Sequence, residues 1–185
     1  MRVVAGCVKG HHLRMPKGTE TRPTSDKVRE AIFAMLGDSF VDDAALDLFA
    51  GTGAMGIEAL SRGATRAVFV ERRPAACHII RANLEHTHLE GESRLLCMSV
   101  ERALTVVDEP FGLIMLDPPY TYAGTHSIMA LIGRARVLRD DTTVVFEHSP
   151  RLSVAERYER LLLKRQRVYG DTAVSIFAVR EDGNE

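Results

Sequence analysis

Apolar residues recur at Val28, Ala31, Ile32, Met35 and Leu36, the spacing of one helical face. Pro23 cannot lie inside that helix, Thr24 or Ser25 can cap its start, and Gly37 ends it. Ahead of it, Val3 and Val4, a Gly10 turn and Leu13 predict a short hairpin over residues 1–15. From residue 44 the pattern alternates. Strands are expected at Ala44–Phe49, Ala67–Glu71, Arg94–Met98, Phe111–Leu116 and Thr143–Glu147. Helices fall between them at Ala54–Arg62, Pro74–His88, Val100–Val107 and Ser127–Ala135. Arg160–Val168 and Ala173–Val179 flank Tyr169-Gly170-Asp171-Thr172, which suits a hairpin turn. Repeated strand–helix alternation implies a mostly parallel α/β sheet covered on both faces, with the final hairpin as an antiparallel edge.

The segment DLFAGTGAMGIEAL, residues 47–60, sets Gly51, Gly53 and Gly56 between the first strand and its helix. Glycines so spaced allow a tight turn, a close backbone approach to a ligand and close helix–strand packing. Glu71, 20 residues after Gly51, ends the second strand, where a carboxylate can accept hydrogen bonds from ribose hydroxyls. That pattern serves NAD(H) and S-adenosylmethionine alike. Asp47 separates them: beside the glycine turn it would repel a pyrophosphate and favour an ammonium and sulfonium. Its alternative role is to cap a local turn.

The fourth strand runs into LDPPY, residues 116–120. Pro119 forces Pro118 into an extended conformation and so fixes the direction of its carbonyl. The Asp117 carboxylate and the Pro118 carbonyl then form two acceptors on a stiff corner, matching the two N–H groups of an exocyclic amine. Tyr120 can stack on the ring that carries the amine. Held this way, a conjugated amine is drawn out of resonance. Its lone pair can be aimed at a methyl donor, and Asp117 stabilises the charge that builds on nitrogen.

Net charge is -1, but residues 1–30 carry +4 and the remainder -5. A basic arm on an acidic body fits a phosphate-binding footprint, with Lys9, His11, His12, Arg14, Lys17, Arg22, Thr24 and Arg29 as candidates. Apolar residues make up 45%, without a run long enough to span a membrane and without a signal-peptide pattern. Cys7, Cys77 and Cys97 are dispersed, so neither a disulfide framework nor a zinc site is expected, and the chain reads as cytoplasmic. No histidine spacing suggests a metal. Glu147 and His148, at the end of the fifth strand, either line the target pocket or cap.

Taken together, Asp47…Gly51-x-Gly53…Glu71…Asp117-Pro118-Pro119-Tyr120 resembles the class I S-adenosylmethionine-dependent methyltransferases of exocyclic amino groups. RPTSDKVREAIF (22–33), LDLFAGTGAMGIEALSRGA (46–64), LDPPY (116–120) and YGDT (169–172) resemble, in order, the blocks of the bacterial 16S rRNA guanine-N2 methyltransferases of RsmD type. The resemblance implies a Rossmann-like, seven-stranded, mostly parallel sheet. It implies methyl transfer from S-adenosylmethionine to N2 of a guanine in 16S rRNA, on assembled or partly assembled small subunit; a monomer is expected, though no residue pattern speaks to the oligomeric state. It implies catalysis by Asp117, Pro118, Pro119 and Tyr120, with the cofactor held by Asp47, Phe49, Gly51, Gly53, Gly56 and Glu71. Residues 1–37 would form an RNA-binding extension of a catalytic domain over residues 38–185. Where related enzymes place Asp or Asn near the adenine, this chain has Met98-Ser99-Val100, so Ser99 is the candidate there. The competing readings are an adenine-N6 or protein glutamine-amide methyltransferase, an NAD-dependent oxidoreductase, and a non-catalytic rRNA-binding assembly factor.

Overall fold

The computed structural model describes residues 1–16 and 25–180. Lys17, Arg22 and Thr24 lie outside them. The strands are β1 (Ala44–Leu48), β2 (Arg66–Val70), β3 (Ser93–Leu96), β4 (Leu113–Leu116), β5 (Thr143–His148), β6 (Arg157–Tyr158), β7 (Leu161–Tyr169) and β8 (Thr172–Val179). They form one sheet in the order β3-β2-β1-β4-β5-β8-β7-β6. The first five run parallel; β8, β7 and β6 each pair antiparallel with the preceding neighbour. β1 sits between β2 and β4, so the order reverses there and opens a crevice at the carboxyl ends of the strands.

Helices α1 (Asp26–Leu36), α2 (Ala54–Ser61) and α3 (Pro74–Thr87) cover one face, and α4 (Val100–Val106) and α5 (Thr125–Arg134) cover the other. Every residue of β1 and β4 is buried, as expected of parallel strands with both faces covered. Ala45, Met115 and Val145 face α1–α3, while Leu46, Ile114 and Val144 face α4–α5. Gly56 makes the close α2–β2 packing possible: a Cβ there would come within 2.3 Å of the Phe69 ring.

The sheet has eight strands, one more than the alternation pattern predicts. The addition is β6, two residues long, which is too short to show a period. Tertiary contacts hold it: Tyr158 packs edge-on against Phe177 at 5.7 Å, and its hydroxyl accepts from the Ala155 amide at 3.0 Å. The N-terminal hairpin is reduced to one antiparallel bridge, Arg2 to His12. Val3 and Leu13 are buried in the same apolar cluster as α1 and α2. The hairpin is pinned by α2, whose Glu58 accepts from the amides of Val4 (2.8 Å) and Ala5 (3.0 Å). Among the described residues no helix is long and apolar enough to cross a membrane.

Candidate active site

The loop after β1 takes left-handed backbone angles at Phe49 (φ 60°), Gly51 (φ 57°) and Gly53 (φ 79°). Glycine tolerates this region, whereas phenylalanine pays roughly 1–3 kcal/mol, a strain that persists only where surroundings impose it. Here the Ala50 amide donates to the Val70 carbonyl at 3.0 Å, and the Phe49 ring packs edge-on against Tyr122 at 5.2 Å.

Glu71 ties this loop to β2. Its Oε2 accepts from the Gly51 amide at 3.0 Å, and Oε1 accepts from the Arg73 amide (2.9 Å) and Arg73 Nε (3.2 Å). A carboxylate offers about four acceptor positions, so at least one remains for a ligand hydroxyl at this buried acid.

Asp47 is 3% exposed, and its Oδ2 accepts from the Gly56 amide at 2.9 Å. The residue preceding α2 is Gly53, which has no side chain to cap the helix, so Asp47 does so from the neighbouring strand. Burial raises its pKa to about 7, against the lowering effect of the Gly56 amide, and Glu71 raises it further. Ser99 likewise caps α4, its Oγ accepting from the Arg102 amide at 3.3 Å.

Leu116 of β4 lies in register with Phe146 of β5, so Asp117 and Glu147 follow at neighbouring positions. Asp47, Asp117 and Glu147 line one cleft with Ile32, Met55, Met115, Leu116 and Val145. Of the pair proposed for the end of β5, Glu147 is the one in the cleft. His148 points to the opposite face, with Nε2 2.8 Å from Ser175 Oγ and Nδ1 2.9 Å from the Ser149 carbonyl oxygen. Burial lowers the His148 pKa.

Beyond Asp117, Pro118 is buried, and Pro119 and Tyr120 emerge at the surface. The Pro119 carbonyl accepts from the Tyr122 amide at 2.7 Å, closing the corner. Tyr120 is 57% exposed, yet its hydroxyl is anchored to the β7–β8 turn: it donates to the Asp171 carbonyl (3.1 Å) and lies 3.0 Å from Thr172 Oγ1. Burial of the phenol raises its pKa, the Thr172 bond opposes this, and the charges of Glu147, Asp117 and Asp171 add to the rise. Tyr122, which packs against Phe49 of the glycine turn, is a further candidate that pattern reading did not single out. Its hydroxyl donates to Glu101 Oε1 at 2.6 Å, and burial and then Glu101 push its pKa up to about 12. The repeat of tyrosine two residues after Tyr120 was its one signal.

The basic arm divides. Lys9 and Arg14 are exposed, and Lys9 borders a cleft of about 420 Å³ with Arg2, Val3, Val4, Gly10, Asp26, Lys27 and Glu30. His11 is half-buried, with Nδ1 2.9 Å from the Val8 carbonyl oxygen and its ring edge-on to His86. Arg29 is not a phosphate ligand. It is wholly buried, donates to Glu58 Oε2 at 3.3 Å and Asp26 Oδ1 at 2.9 Å, and reaches the Arg2 carbonyl. The charge sits on the inner face of α1, which a count of cations cannot reveal. Cys77 Sγ donates to the Glu71 carbonyl at 3.3 Å and Cys97 Sγ accepts from Arg81 at 3.5 Å; burial and then the nearby Cys97 push the Cys77 pKa up to about 12. Among the described residues no group of three or more His, Cys, Asp or Glu could hold a metal.

The family model described as "Conserved hypothetical protein 95" matches residues 1–178. The "Putative rRNA methyltransferase YlbH" of Bacillus subtilis is 39% identical over 183 residues, covering 97% of this chain and all of its own. "Ribosomal RNA small subunit methyltransferase D" of Escherichia coli is 29% identical, covering 99% and 92%. The solved Escherichia coli structure "Putative methyltransferase yhhF" superposes with a TM-score of 0.86 at 29% identity, covering 97% of this chain and 98% of that one. With a family model spanning nearly the whole chain and a 39% identical relative matched over all of its own length, the chain belongs to this family, the RsmD family.

Proposed function

We propose that this chain transfers a methyl group from S-adenosylmethionine to the exocyclic N2 of a guanine in the 16S rRNA of the small ribosomal subunit. One observation carries the reading: Asp117 and Glu147 stand together at adjacent strand ends, beside a proline-stiffened corner whose tyrosine is anchored in the open. The two relatives named above are rRNA methyltransferases by name, which supports the same substrate class and an enzymatic role.

The remaining acceptor position on Glu71 and the backbone of the Gly51–Gly53 turn suit an adenosine ribose. The acidic cleft lined by Asp47, Asp117 and Glu147 suits a cationic ligand rather than a pyrophosphate. When bound there, S-adenosylmethionine supplies an electrophilic methyl group. The chain's residues do the rest. The Asp117 carboxylate and the Pro118 carbonyl accept the two amine hydrogens and orient the nitrogen lone pair. Tyr120, its hydroxyl held by the β7–β8 turn, offers its ring as a stacking surface for the guanine. Asp117 stabilises positive charge on the nitrogen, more strongly where water is excluded, and the proton leaves afterwards. Pre-set orientation of this kind can lower a barrier by roughly 7–11 kcal/mol. The target base must leave its stack to reach the strand ends. Residues 1–37 serve as the RNA-binding extension, with Lys9 and Arg14 on its exposed side.

The test is transfer of a tritiated methyl group onto small subunits from a strain lacking this methyltransferase, followed by nucleoside analysis. Label in N2-methylguanosine is the expected result. Label in N6-methyladenosine, or in protein glutamine, would replace the substrate while leaving the chemistry of the corner intact. No label with any of these would overturn the reading.

A further inference from the structure

The outer strands carry a feature that the proposed catalytic corner does not use. β7 reads LLLKRQRVY, and Lys164 through Val168 are exposed. Neither β7 nor β8 contains an acid. Lys164, Arg165 and Arg167 form no ion pair with any described residue; the Arg167 guanidinium bonds only to the neighbouring Gln166 carbonyl. Elsewhere in this region arginines are consumed structurally: Arg160 donates to the carbonyls of Gly133 and Ala135 at the end of α5, and Arg134 pairs with Glu159.

Register places the two arginines, while Lys164 falls at the register shift between Leu163 and Arg165 and has no paired residue on β8. Arg165 and Arg167 lie opposite Ile176 and Val174, and Val174 belongs to the apolar cluster under α1–α3. By strand alternation both arginines stand on the face shared with α1 and the basic arm, roughly 6.7 Å apart. Tyr169, on the same face, reaches α1, its hydroxyl 3.8 Å from Met35 Sδ. β6 pairs with β7 only through Leu161 and Leu162, so the outer edge beyond Leu163 is unpaired among the described residues. β7 runs parallel to β5, and its last residue opens the turn that anchors Tyr120. Val168, 61% exposed, lies beside that turn.

We propose that β7 is a nucleic-acid contact surface, with Lys164, Arg165 and Arg167 holding phosphates of the RNA that flanks the flipped target nucleotide. The inference rests on the proposed rRNA substrate. Target RNA would then lie between two basic elements, the N-terminal arm and β7, with the Asp117–Tyr120 corner between them. Charged residues on an edge strand also discourage sheet-to-sheet aggregation, so the test must separate the two roles.

Arg165→Ala/Arg167→Ala is compared with wild type for binding to small subunits lacking the modification, across a salt series. S-adenosylmethionine affinity is measured by calorimetry and solution mass by light scattering. Loss of two phosphate contacts reduces the slope of log K against log salt by about 1.4–1.8 and weakens binding at least tenfold at low salt. The methyl donor binds unchanged. Unchanged RNA affinity and slope, with or without aggregation of the variant, overturns the β7 proposal while leaving the rRNA reading intact. A wild-type chain that neither binds nor methylates small subunits overturns both.

Discussion

Arg29 on α1 donates through Nε to Glu58 on α2 at 3.3 Å, and both side chains are wholly buried. Glu58 also accepts from Arg62 Nε at 2.8 Å and from the amides of Val4 and Ala5. One carboxylate thus binds the N-terminal hairpin, α1 and α2 together. Removing one partner of a buried pair strands the other, at a cost of about 3–5 kcal/mol. Glu58→Gln should therefore lower stability strongly in urea denaturation. Arg29→Met should cost less, because Glu58 keeps Arg62 and two amides. The reverse ordering would contradict the hub role of Glu58.

Asp117→Asn keeps the shape of the corner and removes the charge that stabilises the reacting nitrogen. Turnover should fall on the order of 10²-fold or more, by comparison with the loss of a preorganised electrostatic group elsewhere. Affinity for the methyl donor should change little. Single-turnover methyl transfer with calorimetry of donor binding checks both; an unchanged rate removes Asp117 from the chemistry.

Tyr120→Ala removes the stacking surface and Tyr120→Phe removes only its tether to Asp171 and Thr172. Aromatic–base stacking is worth about 1–3 kcal/mol, so the alanine variant should raise the KM for small subunits by about tenfold or more. Tyr120→Phe should show a smaller rise, and Thr172→Val, which deletes one anchor, should resemble it. Equal kinetics for wild type and Tyr120→Ala would deny the tyrosine its role.

Asp47 titrates near 7 in the fold, against 3.8 as the ordinary value. Between these values the folded chain holds a proton that the unfolded chain has released, so this group makes stability fall as pH rises from about 4 to 7. An asparagine in its place cannot titrate, but the amide oxygen can still accept from the Gly56 N–H. Asp47→Asn should therefore match wild type near pH 4 and become progressively more stable than wild type toward pH 8, by an amount on the order of a few kcal/mol. Urea denaturation of the ligand-free chain at several pH values reads this out. A gap that is constant with pH would assign Asp47 an ordinary carboxylate environment.

Local patterns were sufficient for most of the fold. The 3.6-residue spacing and the serine before Asp26 located α1, and Ser25 Oγ does accept from the Val28 amide at 3.2 Å. The apolar runs of β1 and β4, the glycine turn and LDPPY were legible because each is specified by neighbours within a few residues. Strand–helix alternation implied a parallel sheet, and the first five strands form one.

What sequence could not settle was the direction and partner of each polar side chain. Glu147 and His148 are consecutive, and only the register of β5 against β4 decides which enters the cleft, since adjacent strand residues face opposite sides. Arg29 looked like one more cation in a basic arm until packing of α1 on α2 turned it onto Glu58. Asp47 and Ser99 acquired capping duties because α2 and α4 start where their amides need acceptors. Periodicity and local motifs thus determined all the elements but β6, and which residues are candidates for the chemistry. The tertiary structure decided which charges are consumed in holding the elements together and which remain at the surface, because burial and pairing depend on residues distant in the chain.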